Sequence, residues 1–312
     1  EIESRGELSL YLGDNVTNER ALLSFSEVRS MMITGGEGLD QDRGLDLVIT
    51  NLIYQSPPSK LRLLILDIAS ERSSYTQLPH LYSPIVDGSE KMTEVLKWLP
   101  IEYRRRRSLM GRAGVHDYDT FMSSDPNSEP RIVIIISELS HLDNDQHKLL
   151  ISMIEKIAQS EFEVGIHIIA NSRVFGERCA KFIRHVDAHI AFAVDSLEEA
   201  RGFGISGAEW LLPTNDLLLS LSNGSVSRIH SWTLPKTSYK KILGVLARST
   251  PQEYINPNRE FLSLEALKSN QSRSRQHTPT GQSGEKSRSR AANSSSVIRR
   301  GDRLSESSMP PV

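Results

Sequence analysis

Between Ile33 and Gly44 the chain reads Ile33-Thr-Gly-Gly-Glu-Gly-Leu-Asp-Gln-Asp-Arg-Gly44, a glycine-rich stretch of the kind that cradles phosphates. Such a loop works because its glycines let successive backbone N–H groups point at the anion. A Lys then neutralises the outer phosphates, and a Ser or Thr hydroxyl holds Mg²⁺. Gly35, Gly36 and Gly38 satisfy the first requirement. Gln41 and Asp42 stand in the Lys and Ser/Thr places, so the sequence predicts a nucleotide site that has lost its charge chemistry.

The flanks fit that reading. Met31, Met32 and Ile33 form a buried strand pattern, and Leu45, Val48, Ile49, Leu52 and Ile53 recur at helical spacing. Farther on, strands are predicted at Leu61–Asp67, Arg131–Ser137, Gly165–Asn171 and Ala188–Val194, with helices at Lys91–Met110 and Gln146–Ala158 between them. A hairpin around Asn223-Gly224, from Leu217–Leu221 to Ser227–Ser231, closes the series. Alternating strands and helices predict an α/β fold with a mainly parallel central sheet.

Composition bounds the alternatives. With 38% hydrophobic and 24% charged residues the chain can build a core, and it has no apolar run of membrane-spanning length. It opens at Glu1 rather than Met and is read as part of a longer product. The single Cys179 precludes an internal disulfide, fits a reducing compartment, and reads as a small buried apolar residue. From Ser269 onward there are eight Lys/Arg against three Asp/Glu. The tail is therefore about +5 and residues 1–268 about −7, which argues against a uniformly DNA-coating surface. Two Ser-Arg-Ser-Arg repeats and few apolar residues predict a disordered basic tail over 269–312.

The order of further motifs is specific. Leu78-Pro-His-Leu-Tyr-Ser-Pro-Ile-Val86 is followed by Leu96-Lys-Trp98, Glu102, Arg105-Arg106, Leu109-Met110 and Gly114-Val115. Gly165-Ile-His-Ile-Ile-Ala170 and Gly207-Ala-Glu209 with Leu211-Leu212 come later. Over residues 8–232 this order resembles the motor domain of the FtsK/SpoIIIE DNA translocases.

The resemblance implies a RecA-like P-loop NTPase fold and a hexameric ring that uses ATP and Mg²⁺ to move double-stranded DNA in chromosome segregation and cell division. It divides the chain into a lead-in at 1–30, a motor domain at 31–248, a linker at 249–268 and the tail. It also implies a cytoplasmic domain whose full-length protein is anchored in the bacterial inner membrane by an upstream segment. Nothing after Pro251 has the helix-and-hairpin pattern of the family's DNA-reading winged-helix domain.

Where the family handles ATP, this chain departs from it. The family's Gly-Ser-Gly-Lys-Ser is replaced by Gly38-Leu-Asp-Gln-Asp42, and the Asp-Glu ending its third buried strand is replaced by Ser137-Glu138. Both Walker motifs therefore read as degenerate. The family's γ-phosphate-sensing Gln becomes Ser172 while Arg173 stays, and an Arg becomes His189. A like-charge pair at about 5 Å costs roughly 3 kcal/mol at an effective dielectric near 20. Asp40 and Asp42 beside phosphate, with the Lys gone, shift a micromolar affinity toward millimolar. Glu138 holds the place of the water-activating carboxylate, and a structural pairing with Arg173 is expected for it. Arg105 and Arg106 read as structural or intersubunit ion-pair residues, with DNA-backbone contact as the alternative, and Arg173 is a candidate for DNA or intersubunit contact.

The remaining signals favour bland readings. Glu37, Asp40, Asp42 and Asp46 match no Ca²⁺ loop spacing and read as a solvated acidic loop. Gly202-Phe-Gly204-Ile-Ser-Gly207 matches a dinucleotide fingerprint by letter but lacks its strand context and reads as a turn. His185 and His189 do not share a helix face, so no metal is expected. Three functions follow. The first is a pseudo-ATPase subunit of a translocase ring, with an active paralogue as a candidate partner. The second is a divergent active translocase with Arg43 as replacement cation, and the third is a pseudo-ATPase module of a secretion or conjugation coupling protein.

Overall fold

The computed structural model describes residues 8–35, 39–68, 72–124, 128–213, 215–232, 236–256 and 261–262, all within one compact unit, Glu1–His277. The basic tail lies outside them. In chain order the elements are β1 (Ser9–Asn15), β2 (Arg20–Ser24), β3 (Ser30–Thr34), α1 (Leu39–Gln55), β4 (Leu61–Leu66), α2 (Ser89–Ala113), α3 (Tyr118–Ser124), β5 (Arg131–Ile136) and α4 (Asn144–Ala158). There follow β6 (Ile166–Ser172), α5 (Glu177–Ile183), β7 (Ala188–Phe192), α6 (Leu197–Gly202), β8 (Asp216–Leu221), β9 (Val226–His230) and α7 (Lys236–Ser249).

One nine-stranded sheet runs β2-β1-β9-β8-β7-β3-β6-β5-β4. The half from β7 to β4 is parallel. Its central strands β3, β5 and β6 are buried at every position, as strands covered on both faces must be, and their unbroken apolar runs follow from that. The other half is antiparallel. It takes β1 and β2 from the segment expected only as a lead-in, where short strands broken by Gly13 and Asn15 gave weak periodicity. Gly13, at φ +138°, lies so close to the next strand that a Cβ would sit 2.2 Å from the His230 carbonyl oxygen.

Helices cover both faces. One core joins α1 and α7 to the sheet through Leu45, Val48, Leu52, Tyr239 and Leu243. The opposite core joins α2, α4 and α5 through Trp98, Leu150, Ile154, Cys179 and Phe182. Each fully buried Leu or Ile contributes roughly 1.5–3 kcal/mol. Helix α2 continues through Pro100 and ends on Gly114 at φ 69°, the left-handed cap that glycine favours. Helix α4 begins at a capping box of Asp143 and Gln146. The Gln146 amide also reaches the Ser89 carbonyl and Thr93 hydroxyl, which fixes α4 against the start of α2.

The segment expected as a linker is docked. Arg62 reaches the Glu253 carbonyl, Gln252 donates to the Thr76 carbonyl, and Phe261 is buried with its ring 5.3 Å from that of Trp98. Among the described residues no helix is long and apolar enough to cross a membrane.

Candidate nucleotide site and its carboxylate

Strand β3 is the pivot of the parallel half. The chain leaves it through α1 to the far strand β4, steps back through β5 and β6, and then passes over β3 to β7. A crevice at the carboxyl end of such a switch-point strand is where open α/β sheets bind ligands. Gly35 is buried at this end. Gly36 and Gly38 lie outside the described residues, as do the side chains of Gln41 and Asp42, whose backbone forms the first turns of α1. Gly44 is pressed onto β7, and a Cβ there would lie 2.3 Å from the Phe192 ring. Beside the loop, the Thr34 hydroxyl and His189 Nε2 share a buried hydrogen bond of 2.7 Å. Burial pushes the His189 imidazole down to about 4, so the ring at this family Arg position is neutral.

At the ends of β4, β5 and β6 the polar groups are satisfied by one another. Ser137 donates its hydroxyl to Asp67 Oδ1 at 2.7 Å, and the Arg72 backbone N–H donates to Asp67 Oδ2 at 2.7 Å. The Asn171 amide nitrogen donates to the Ser137 carbonyl at 3.1 Å, and its buried Oδ1 has no protein partner among the described residues. Sequence reasoning missed Asp67 and Asn171. The available signal was a polar residue ending an otherwise apolar strand.

Glu138 follows β5 and is buried. Its Oε1 accepts from the Ser172 hydroxyl at 2.8 Å and the Ser140 N–H at 3.1 Å. Its Oε2 accepts from the Arg173 N–H at 3.0 Å and Arg173 Nε at 3.4 Å. The structure thus brings Ser137, Glu138, Ser172 and Arg173 together, with every Glu138 oxygen doubly engaged. Burial, followed by the Glu138 charge, pushes the nearby Cys179 thiol up to about 12.

Arg105 and Arg106, expected in structural or intersubunit ion pairs or on DNA, lie at the opposite, amino-terminal edge of the sheet and form ion pairs within the chain. Arg105 Nη2 meets Glu102 Oε1 at 2.6 Å and also pairs with Glu129. Arg106 Nε meets Glu102 at 2.8 Å, and its other nitrogens reach the carbonyls of Pro130 and Gly165. With its side chain 2% exposed, Arg106 has no face left for an external phosphate. Burial alone would raise the Glu102 carboxyl, but its bonds to Arg105 and Arg106 outweigh that and hold it at about 2.

Asp46, one of the loop-region acids, accepts from the Tyr75 hydroxyl, and the Tyr75 ring packs edge-on against Tyr239 of α7 at 5.8 Å. The described residues contain no cluster of three metal-ligating side chains. Gly204 and Gly207 adopt positive φ in the turn after α6, so the dinucleotide-like letters form a turn.

A glycine-rich sequence following the switch-point strand of a sheet with helices on both faces defines an α/β domain of the P-loop NTPase fold. The FtsK/SpoIIIE family model matches residues 3–205, and the chain belongs to that family. It is 29% identical over 231 residues to the DNA translocase SftA of Bacillus subtilis, covering 71% of this chain and 24% of that protein. It is 26% identical over 289 residues to the DNA translocase FtsK of Agrobacterium fabrum, covering 81% and 32%. The chain therefore spans about a quarter to a third of the length of these relatives.

Among solved structures, the cytoplasmic domain of the Thermomonospora curvata type VII secretion ATPase EccC superposes with a TM-score of 0.65 over 84% of this chain and 33% of that one. The pCW3 conjugation coupling protein TcpA, in a monomer form with ATPγS, gives 0.63 over 78% and 72%. At 15% identity each, these bear on the fold alone.

Proposed function

We propose that this chain is a translocase-type motor domain with a silenced ATP site, acting as a pseudo-ATPase subunit or partner in DNA handling. The observation that carries the reading is the state of Glu138. A general base must present a free lone pair to water within hydrogen-bond reach, and here four protein donors occupy the carboxylate. Two further features support it. The strand-end Asp that would help hold Mg²⁺ is Ser137, whose hydroxyl is tied to Asp67, and the sequence carries Gln41 and Asp42 at the positions where a P-loop has Lys and a hydroxyl residue.

On this reading Gly35, Gly36, Gly38, Gln41, Asp42, Ser137 and Ser172 line a vestigial nucleotide site. The fold is retained for assembly, as a ring of identical copies or one shared with an active paralogue, around or beside double-stranded DNA. Membrane attachment would come through sequence outside this chain.

The test is calorimetric titration with Mg-ATP of the natural chain and of a variant carrying Gln41→Lys, Asp42→Ser and Ser137→Asp. Silence in the natural chain with binding in the restored one supports the reading. Micromolar binding by the natural chain refutes it and favours an active translocase. DNA-stimulated hydrolysis lost on changing Arg43 or Glu138 would establish that alternative.

A further inference from the structure

Between α4 and α5 lies a cleft of about 480 Å³, within the range of small-ligand sites. It opens under the helices of the α2, α4 and α5 core, whereas α1, which follows the loop after β3, packs on the other face of the sheet. Ser172 forms part of its wall.

The lining is positive in a chain whose net charge is −2. Lys148, Arg178 and Lys181 face Glu177 as the acidic member. Lys148 pairs with Asp145 in solvent, where such a pair contributes little. Arg178 is fixed by neutral acceptors, the carbonyls of Ser140 at 3.3 Å and Leu142 at 2.6 Å and Asn144 Oδ1 at 3.1 Å. Its geometry is set while its charge is left uncancelled.

His147 reports the same field. Burial lowers its pKa first, the hydrogen bond to the Arg178 carbonyl opposes this, and the neighbouring Lys181 and Arg178 charges lower it further. At the mouth, Val174 and Phe175 are exposed, and the Phe175 ring is held edge-on to Phe203 at 5.6 Å. The cleft therefore combines a cationic wall with a fixed apolar lip.

We propose that this cleft binds a small phosphate-bearing anion with a flat apolar part, of the nucleoside phosphate class, at a second site that adjoins the vestigial one through Ser172 and does not rest on its loop. The cations would meet the phosphates, and Phe175 would cover the ring.

The test is NMR on the full chain, following the His147 imidazole and the amides of Thr34 and Gly35 during separate titrations with ADP, pyrophosphate and adenosine. ADP is expected to shift His147 and leave Thr34 and Gly35 unmoved. Lys181→Glu, a surface change, should weaken that binding at least tenfold, as loss of one charge contact of about 1.4 kcal/mol requires. Pyrophosphate matching ADP would identify free phosphate groups as the ligand, while much weaker pyrophosphate would identify the nucleotide.

Shifts confined to Thr34 and Gly35 would overturn the proposal, and with it the silenced-loop reading. No shift at millimolar ADP and pyrophosphate, or affinity unchanged in Lys181→Glu, would overturn the cleft proposal alone.

Discussion

Replacing Glu138 by Gln separates a structural carboxylate from a catalytic one. In the folded chain four donors converge on it, two on each oxygen. A Gln side chain offers one acceptor oxygen and turns an NH₂ toward the other pair, so a backbone N–H, that of Ser140 or of Arg173, loses its acceptor whichever way the amide points, while the Ser172 hydroxyl, which also reaches the Val174 carbonyl at 3.0 Å, can turn to accept. A hydrogen bond to a charged group contributes about 1.5–3 kcal/mol when buried. The Arg173 Nε contact counts for less because that side chain is 31% exposed. The expected loss is about 3 kcal/mol. For a domain of this size each kcal/mol moves Tm by roughly 2–4 °C, so Glu138→Gln should melt about 6–12 °C below the natural chain.

The assay is thermal unfolding followed by circular dichroism, run beside Ser172→Ala and the double variant. The double variant should lose less than the sum of the two single losses, because both alter the same 2.8 Å bond. If Glu138→Gln melts with the natural chain while DNA-stimulated ATP hydrolysis disappears, the carboxylate is catalytic and the pseudo-ATPase reasoning fails.

Acid should weaken the buried charge network at the other edge of the sheet. Glu102 and Glu163 are both held at about 2, against burial, by Arg105 and Arg106 in one case and by His167 and Arg131 in the other. A depressed carboxylate contributes stability above its unfolded pKa and loses it as pH falls through the folded value. Urea midpoints should therefore fall steadily from about pH 4.3 toward pH 2, and a flat profile would refute this. His189, lowered to about 4, adds a loss beginning as pH falls below about 6.5, and its imidazole should titrate near 4 by NMR. Gly44→Ala should destabilise by about 1–3 kcal/mol through overpacking against Phe192, with Phe192→Leu restoring part of it in denaturant titrations. Phe261→Ala should cost about 3–5 kcal/mol and alter the fluorescence of Trp98, and an unchanged midpoint would show that the docked segment carries no stability.

The parallel half was legible because its strands are buried on both faces and their apolar runs are continuous, as at Arg131–Ile136. The antiparallel half was only partly legible. Its hairpin carries Asn223-Gly224, whereas β2 alternates weakly and exposes Leu22. Phe261 shows the limit of composition: the segment around it is polar, yet its ring against Trp98 and the hydrogen bonds of Gln252 and Glu253 dock it.

The same limit governs the site. That Gln41, Asp42, Ser137 and Ser172 depart from the P-loop pattern could be read from their letters, but what Ser137 and Ser172 do depends on strands distant in sequence. Ser137 meets Asp67 from β4, seventy residues away, and Glu138 meets Ser172 and Arg173 from β6. A buried carboxylate or hydroxyl that no longer faces phosphate or metal must find partners or lose several kcal/mol. Most groups here have found them inside the chain, and Asn171 Oδ1 is the exception among them. If the site had only lost affinity and kept its task, Glu138 would be expected to stay open to water. On the proposed function its fourfold engagement is that of a site rebuilt as structure, so restoring Lys at Gln41 alone should recover nucleotide binding without recovering hydrolysis. Hydrolysis by that single variant, measured as phosphate release with and without DNA, would show that the Glu138 clamp opens and that the silencing lies in the loop alone.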